Sequence, residues 1–109
     1  MKKIKITITG CMGRMGRQLI KSTLTDRDFK LVSLTENIKV KKKINGIKPS
    51  LNCEESFKTS NVIIDFTIPK CTFQVLKLAS KLKKRVVIGT TGFTQNEENL
   101  IKKFSKKIP

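Results

Sequence analysis

The stretch that decides the fold runs from Ile6 to Ile20 and reads ITITGCMGRMGRQLI. From Lys3 to Thr9 apolar and polar residues alternate and many are β-branched, which predicts a strand. Glycines then recur at every third position as the pattern becomes helical, at Gly10, Gly13 and Gly16. This succession predicts a strand, a tight turn and the first turns of a helix, as at the start of a parallel α/β fold.

The same stretch predicts a site for a dinucleotide. Gly10 permits the tight turn, and glycine without a Cβ lets a pyrophosphate approach the backbone. The free N–H groups that open a helix attract anions, and Arg14 adds positive charge there. The candidate cofactor-binding residues in this stretch are Gly10, Cys11, Met12, Gly13, Arg14, Met15 and Gly16. Because Met12 stands where G-x-G-x-x-G has its second glycine, an ordinary Gly-rich turn is the alternative interpretation.

The following segment completes a βαβ unit. A helix is expected from Arg14 to Leu24, and a strand from Phe29 to Thr35. The crossover should be right-handed and the two strands parallel. The apolar stripe expected on the helix consists of Met15, Leu19, Ile20 and Leu24.

Glu36 directly follows this second strand. A carboxylate in that position accepts hydrogen bonds from the ribose hydroxyls of a dinucleotide, although a surface carboxylate by chance is the alternative. Asn37 comes next and cannot supply the positive charge that favours a 2′-phosphate. The lysines at 39 and 41–43 are interpreted either as such a charge or as a solvated loop. NADH and NADPH therefore both remain candidate cofactors.

The rest of the chain alternates short strands and helices. Asn45-Gly46 predicts a turn, and Pro69 suits the first position of a helix. Because free cysteines are usually buried, Cys71 is expected to be a core residue of that helix rather than a reactive thiol. The elements expected after the turn are an edge strand 47–51, a short helix 54–59, buried strands 62–66 and 85–88, a helix from 69 onwards, and a helix from about 95 that Thr94 caps.

Two further segments are expected at the same edge of the sheet as the glycine turn. Ligands of open parallel sheets bind beyond the carboxyl ends of the strands. Phe66-Thr67 follows one predicted strand, and the turn Gly89-Thr90-Thr91-Gly92 follows another. Phe66, Thr67, Gly89, Thr90 and Thr91 therefore join Glu36 and Asn37 as candidate cofactor-binding residues.

Composition restricts the function classes. A chain of 109 residues without a long apolar run fits one domain and predicts no membrane span or secretory signal. Its three cysteines lack C-x-x-C spacing, which favours a reducing cytoplasm over disulfides or zinc. The net charge of +16 predicts weak attraction to polyanions. Since the lysines are dispersed and no Trp or Tyr is present, specific nucleic-acid binding is the less favoured alternative.

Three motifs together resemble the N-terminal part of 4-hydroxy-tetrahydrodipicolinate reductase (dihydrodipicolinate reductase), a family of lysine and diaminopimelate biosynthesis. They are GCMGRMG at 10–16, DFT at 65–67 and VIGTTGF at 87–93, and Glu36 lies between the first two. The resemblance covers nearly the whole chain. It implies a Rossmann-like parallel sheet with helices on both faces, and a hydride transfer from NADH or NADPH that yields tetrahydrodipicolinate.

The resemblance also assigns roles. It places residues 10–15 at the pyrophosphate, Glu36 at the ribose, Phe66 and Thr67 along the cleft, and residues 89–91 beside the nicotinamide and the substrate. Asn37 replaces an Arg that is often found there, so NADH is at least as plausible as NADPH.

Other family features are missing from this sequence. The family's proton donor and substrate ligands belong to a second domain with paired His residues, and this chain has no His. Residues 1–109 are therefore expected to form an incomplete dinucleotide-binding domain, truncated at its C-terminal end and inactive alone. The family assembles as a homotetramer mainly through the second domain. A stand-alone dinucleotide-binding or sensor module is the alternative interpretation.

Overall fold

A computed structural model describes residues 3–36, 38, 40–90 and 92–109. Four parallel strands form one sheet in the spatial order β2-β1-β3-β4. The strands are β1 (Ile4–Thr9), β2 (Phe29–Thr35), β3 (Val62–Asp65) and β4 (Arg85–Ile88). The helices are α1 (Arg14–Thr25), α2 (Glu54–Phe57), α3 (Pro69–Leu82) and α4 (Gln95–Ser105). The predicted parallel α/β architecture with helices on both faces is confirmed, and β2 has the predicted bounds.

Two hydrophobic clusters lie on opposite faces of the sheet. Ile6, Ile8 and Ile20 belong to the cluster beneath α1. Ile63 and Val75 belong to the cluster beneath α3. Successive residues of a strand point to opposite faces, so the threonines of β1 face α2 and α3 and are fully buried. β1 is therefore a central strand buried on both faces, despite its alternating composition.

Three predicted structural features are wrong because of tertiary packing. Met15 and Leu24 are each 46% exposed, because α1 presents Gly16, Ile20 and Thr23 to the sheet. No strand forms over 47–51, where the backbone makes only isolated bridges, Ile44 to Ile47 and Ser50 to Thr35. β4 is an edge strand rather than a buried one, and Val87 is 53% exposed.

Two predicted local features are confirmed. Asn45 and Gly46 have φ angles of 52° and 80°, and the Ile44 and Ile47 N–H groups donate to each other's carbonyls across this turn. Thr94 caps α4 in a capping box with Glu97. Within the described ranges, no helix combines the length and apolar character needed to cross a membrane.

Substitution of Gly16 tests how closely α1 approaches the sheet. A Cβ at Gly16 would lie 2.2 Å from the Gly10 carbonyl oxygen. We therefore expect Gly16→Ala to lower the free energy of unfolding by about 2–4 kcal/mol, although Ala is the better helix former. Urea unfolding measures the change. Ser22→Ala, at an exposed position of α1, is the control and should not destabilise; equal effects of the two substitutions would contradict the close approach.

Candidate functional site

A cleft opens where the chain leaves the central strands β1 and β3. From β1 the chain continues to β2 on one side, whereas β3 continues to β4 on the other. Crevices at such switch points of open parallel sheets are the usual ligand sites. The cleft has a volume of about 270 Å³ and is lined by Gly10, Gly13, Glu36, Asn52, Phe66, Thr67, Ile68 and Cys71.

Gly10 forms the floor of the cleft at the end of β1. Its φ angle is +64°, in the left-handed region that favours glycine. A Cβ here would lie 2.9 Å from Cγ2 of Thr67 and 3.0 Å from the Phe66 carbonyl oxygen. The Gly13 N–H donates to the Gly10 carbonyl at 3.0 Å and closes the turn. The glycine turn and the loop after β3 therefore pack against each other without an intervening side chain.

The N-terminus of α1 has no side-chain cap. Gly13 occupies the N-cap position in an extended conformation, and the first turn contains no acidic residue. By contrast, a capping box closes the N-terminus of α4, and two acidic residues lie in its first turn. The first turn of α1 thus keeps the partial positive charge of its N–H groups directly beside the cleft.

Glu36 faces the glycine turn from the end of β2. Its Oε2 accepts a hydrogen bond from the Met12 N–H at 3.0 Å. The carboxylate also lines the cleft. Because the Glu36 N–H donates to the Ser50 carbonyl and the Cys11 N–H to the Thr35 carbonyl, the end of β2 is tied to both neighbouring loops.

Several residues of the glycine stretch lie outside the cleft. The Cys11 side chain is fully buried in the core beneath α1, its N–H is bonded to the Thr35 carbonyl, and the residue does not line the cleft. Met12 and Arg14 line an adjacent depression together with Arg17 and Lys21. Met15 is exposed on α1, and Gly16 packs beneath the turn.

Phe66 and Gly89 are in direct contact. A Cβ at Gly89 would lie 1.9 Å from the Phe66 ring, so the ring occupies the space that a larger residue would need. The Gly89 N–H donates to the Asp65 carbonyl at 2.7 Å. Gly89 thus supports Phe66, which lines the cleft, and does not itself line it.

Thr90 is buried and its hydroxyl is engaged within the protein. The Thr67 N–H donates to Thr90 Oγ1 at 2.9 Å, and Oγ1 lies 3.0 Å from Oδ2 of Asp65. Thr67 itself lines the cleft. The Thr90 hydroxyl therefore connects the loops that follow β3 and β4, and the expected place of Thr90 beside the nicotinamide stays a prediction. Asn37 and Thr91 lie outside the described residues.

The sequence interpretation missed three cleft residues. The Asn52 side-chain amide donates to Gln74 Oε1 at 3.4 Å. Ile68 is 56% exposed next to it in the cleft lining. Cys71 is half-buried on the cleft wall, so its assignment to the core is wrong. None of these residues belongs to a sequence motif. The only signal for them in the sequence is that they lie in the segments that follow β2 and β3.

Neither the Cys71 thiol on the cleft wall nor the buried Cys11 thiol is activated as a nucleophile. Burial raises the pKa of Cys71, and the nearby carboxylates of Asp65 and Glu36 raise it further. Burial, with a smaller contribution from Glu36, raises the pKa of Cys11 from 9.0 to about 11. A raised pKa keeps both thiols protonated near neutral pH, which disfavours nucleophilic roles for them.

Comparison with known proteins places these features in a family. Residues 4–109 match the family model described as dihydrodipicolinate reductase, N-terminus. The chain is 65% identical over 109 residues to 4-hydroxy-tetrahydrodipicolinate reductase of Pelagibacter ubique (strain HTCC1062), covering 100% of this chain and 42% of that protein. It is 38% identical over 122 residues to the enzyme of the same name from Buchnera aphidicola subsp. Acyrthosiphon pisum (strain Tuc7), covering 98% and 44%.

Solved structures share the fold. A dipicolinate-bound dihydrodipicolinate reductase from Paenisporosarcina sp. TG-14 superposes with a TM-score of 0.76 at 23% identity, over 94% of this chain and 43% of that one. A D-galactose-1-dehydrogenase from Rhizobium etli superposes with a TM-score of 0.77 at 19% identity, over 98% and 35%. At these identities the superpositions support the fold alone.

The contact between Phe66 and Gly89 is testable by a double-mutant cycle. We expect Gly89→Ala to destabilise the chain by about 2–3 kcal/mol, because the methyl group overlaps the ring. In a Phe66→Ala background the same substitution should cost less than about 1 kcal/mol, since the ring is gone. Urea unfolding of the four proteins measures the coupling. Additive effects would show that the ring does not occupy this space.

The raised pKa of Cys11 predicts a loss of stability at alkaline pH. The thiol ionises near pH 9.0 in the unfolded chain and near pH 11 in the folded one. Its contribution to the free energy of unfolding is therefore complete below pH 9 and is lost as pH rises towards 11. One pKa unit corresponds to about 1.4 kcal/mol, so we expect a loss of about 2–3 kcal/mol. Unfolding of wild type and Cys11→Ala across this range isolates the thiol, because lysine titration is common to both. Identical pH dependence would contradict the assignment.

Proposed function

Since this chain belongs to the dihydrodipicolinate reductase family, we propose that it binds a nicotinamide dinucleotide in the cleft between β1 and β3. The observation that carries the proposal is the uncapped N-terminus of α1 beside the cleft, with the Glu36 carboxylate at the end of the neighbouring strand. We further propose that the chain is the cofactor-binding part of a reductase acting on 4-hydroxy-tetrahydrodipicolinate, in lysine and diaminopimelate biosynthesis.

The pyrophosphate would lie against the glycine turn. Gly10 and Gly13 present backbone without side chains, and a Cβ at Gly10 would meet the loop after β3. The helix N-terminus adds partial positive charge, and Arg14 and Arg17 line the adjacent depression. These features fit two bridged phosphates better than an uncharged ligand.

The adenosine would lie towards β2. Glu36 is an acceptor for ribose hydroxyls, and Asn52 and Ile68 line the same cleft. A 2′-phosphate would bring a second negative group close to the Glu36 carboxylate, whereas two free hydroxyls would donate to it. We therefore propose that NADH binds at least as tightly as NADPH.

The nicotinamide would lie towards β4, near Phe66 and Thr67. When bound, the reduced cofactor supplies a hydride. This chain orients it through the aromatic ring and the two loops that follow β3 and β4. The chain spans 42% of the length of its Pelagibacter relative, and we assign substrate binding and proton donation to the part of such relatives that it does not match. The three free cysteines support a reducing, cytoplasmic location.

Introducing an acidic N-cap tests the dinucleotide site. Gly13→Asp places a carboxylate at the N-cap of α1, where it repels a pyrophosphate. Asp is a favoured N-cap residue, and its Cβ would lie 3.3 Å from the Gly10 carbonyl oxygen. We expect the affinity for NADH to fall by about tenfold or more, and urea unfolding of the variant checks that it remains folded. NADH fluorescence and calorimetry at two salt concentrations measure the binding, with NADPH titrated in parallel.

Thr94→Asp is the matched control. It adds the same charge at the N-cap of α4, so NADH affinity should change by less than about twofold. Equal weakening by the two substitutions would indicate a general charge effect. Binding of polyanions alone, lost at higher salt, would contradict the proposal and favour a nonspecific basic surface.

A further inference from the structure

A fully buried carboxylate, that of Asp65 at the end of β3, accepts hydrogen bonds from four threonine hydroxyls. Oδ1 lies 2.6 Å from the Thr9 hydroxyl and 2.8 Å from that of Thr67. Oδ2 accepts from Thr72 and, at 3.0 Å, from Thr90. Each carboxylate oxygen thus receives two donors, which satisfies the acceptor capacity of the group. All of these partners are hydroxyls, so Asp65 forms no ion pair within the described structure.

The four hydroxyls come from four different segments of the chain, and one of the four residues, Thr67, lines the cleft. Thr9 ends β1 immediately before the glycine turn, and Thr67 lies in the loop after β3. Thr72 is in the first turns of α3, and Thr90 follows β4. The carboxylate therefore joins elements that the sheet's own hydrogen bonds leave unconnected beyond the strand ends.

The Thr90 hydroxyl has a single acceptor in this network, and its oxygen lies 2.9 Å from the Thr72 hydroxyl. A threonine hydroxyl has one proton, so Thr90 donates to Asp65 and accepts the Thr67 N–H with its oxygen. An amide at position 65 would replace one acceptor by a donor and leave two hydroxyls without their acceptor. The loops after β3 and β4 are thus joined directly by the bond from the Thr67 N–H to Thr90, and a second time through the carboxylate, which accepts from both hydroxyls.

The glycine turn has independent support. Its N–H groups donate to Thr35, Glu36 and Gly10, none of which belongs to the Asp65 network. Loss of the network should therefore affect the β3 and β4 side of the cleft more than the β2 side. In the proposed binding mode, these sides hold the nicotinamide and the adenosine, respectively.

We propose that Asp65 is a positioning residue that orders the nicotinamide end of the cleft through Thr67 and Thr90. This inference rests on the proposed function, because it assigns a role within that binding site. Asp65 itself is fully buried, so it acts through the threonines rather than on the cofactor.

Two ligands that differ at one end test the inference. ADP lacks the nicotinamide half, whereas NADH requires both halves of the cleft. For Asp65→Asn and Thr90→Val, we expect NADH affinity to fall by about tenfold while ADP affinity changes by less than about twofold. Thr90→Ser keeps the hydroxyl and should bind both ligands as wild type does. Calorimetry measures the affinity of each variant for both ligands. In Asp65→Asn and Thr90→Val, the nicotinamide emission of bound NADH should shift back towards its value in water.

The outcomes separate this inference from the proposed function. Unchanged NADH affinity in folded Thr90→Val, or equal loss of NADH and ADP affinity, would overturn the positioning role. If Asp65→Asn does not fold, Thr90→Val decides. A wild-type chain that binds neither ligand would overturn the proposed function. Hydrogen exchange of the Thr67 amide in the ligand-free chain then tests the hydrogen-bond network alone. Faster exchange in Thr90→Val but not in Thr90→Ser supports the network. The same exchange rate in the two variants contradicts it.

Discussion

The close approach of α1 to the end of β1 is the constraint on which the site depends. A Cβ at Gly16 would lie 2.2 Å from the Gly10 carbonyl oxygen, so the helix can begin directly beside the turn only with glycine at that position. This approach brings the N-terminus of α1 to the floor of the cleft. That N-terminus has no side-chain cap, because the N-cap residue is Gly13. Two glycines of one turn thus serve packing and anion attraction separately, Gly16 the first and Gly13 the second.

Hydroxyl groups, rather than charged partners, hold the other side of the cleft. The paired strands end at Asp65 and Ile88, and one further backbone bond follows them, from the Gly89 N–H to the Asp65 carbonyl. Beyond it, the Asp65 carboxylate and the Thr90 hydroxyl join the described parts of the two loops. Burial of an unpaired carboxylate is costly, and four short-range donors offset that cost. The Thr90 hydroxyl in this way connects two loops, a role that its motif does not indicate.

The fold was largely predictable from local patterns. β-branched alternation, the glycine spacing and the apolar runs of β2 and β3 each favour one structure, and they agree with one another. The predicted burial was wrong for residues whose exposure depends on which other elements pack against them. Val87 lies in an apolar run but at a sheet edge, and Met15 lies on the helical stripe but faces outward. Sequence periodicity shows which face of an element is apolar enough to be buried. It does not show whether another element packs against that face.

The candidate site was predictable only at its motifs. Gly10, Gly13, Glu36, Phe66 and Thr67 follow from strand-end positions, and all five line the cleft. Asn52 and Cys71 are also in its lining, although they belong to segments without a motif.

The amino-acid sequence by itself determined the strand–turn–helix unit, the parallel sheet and the family, because these depend on spacing along the chain. The tertiary structure decided which of the predicted residues face the cleft and which serve packing. It placed the Cys11 side chain in the core, Gly89 beneath the Phe66 ring, and the Thr90 hydroxyl on Asp65. The physical reason is that side-chain direction at the end of a strand depends on contacts with residues distant in sequence, which no local pattern encodes.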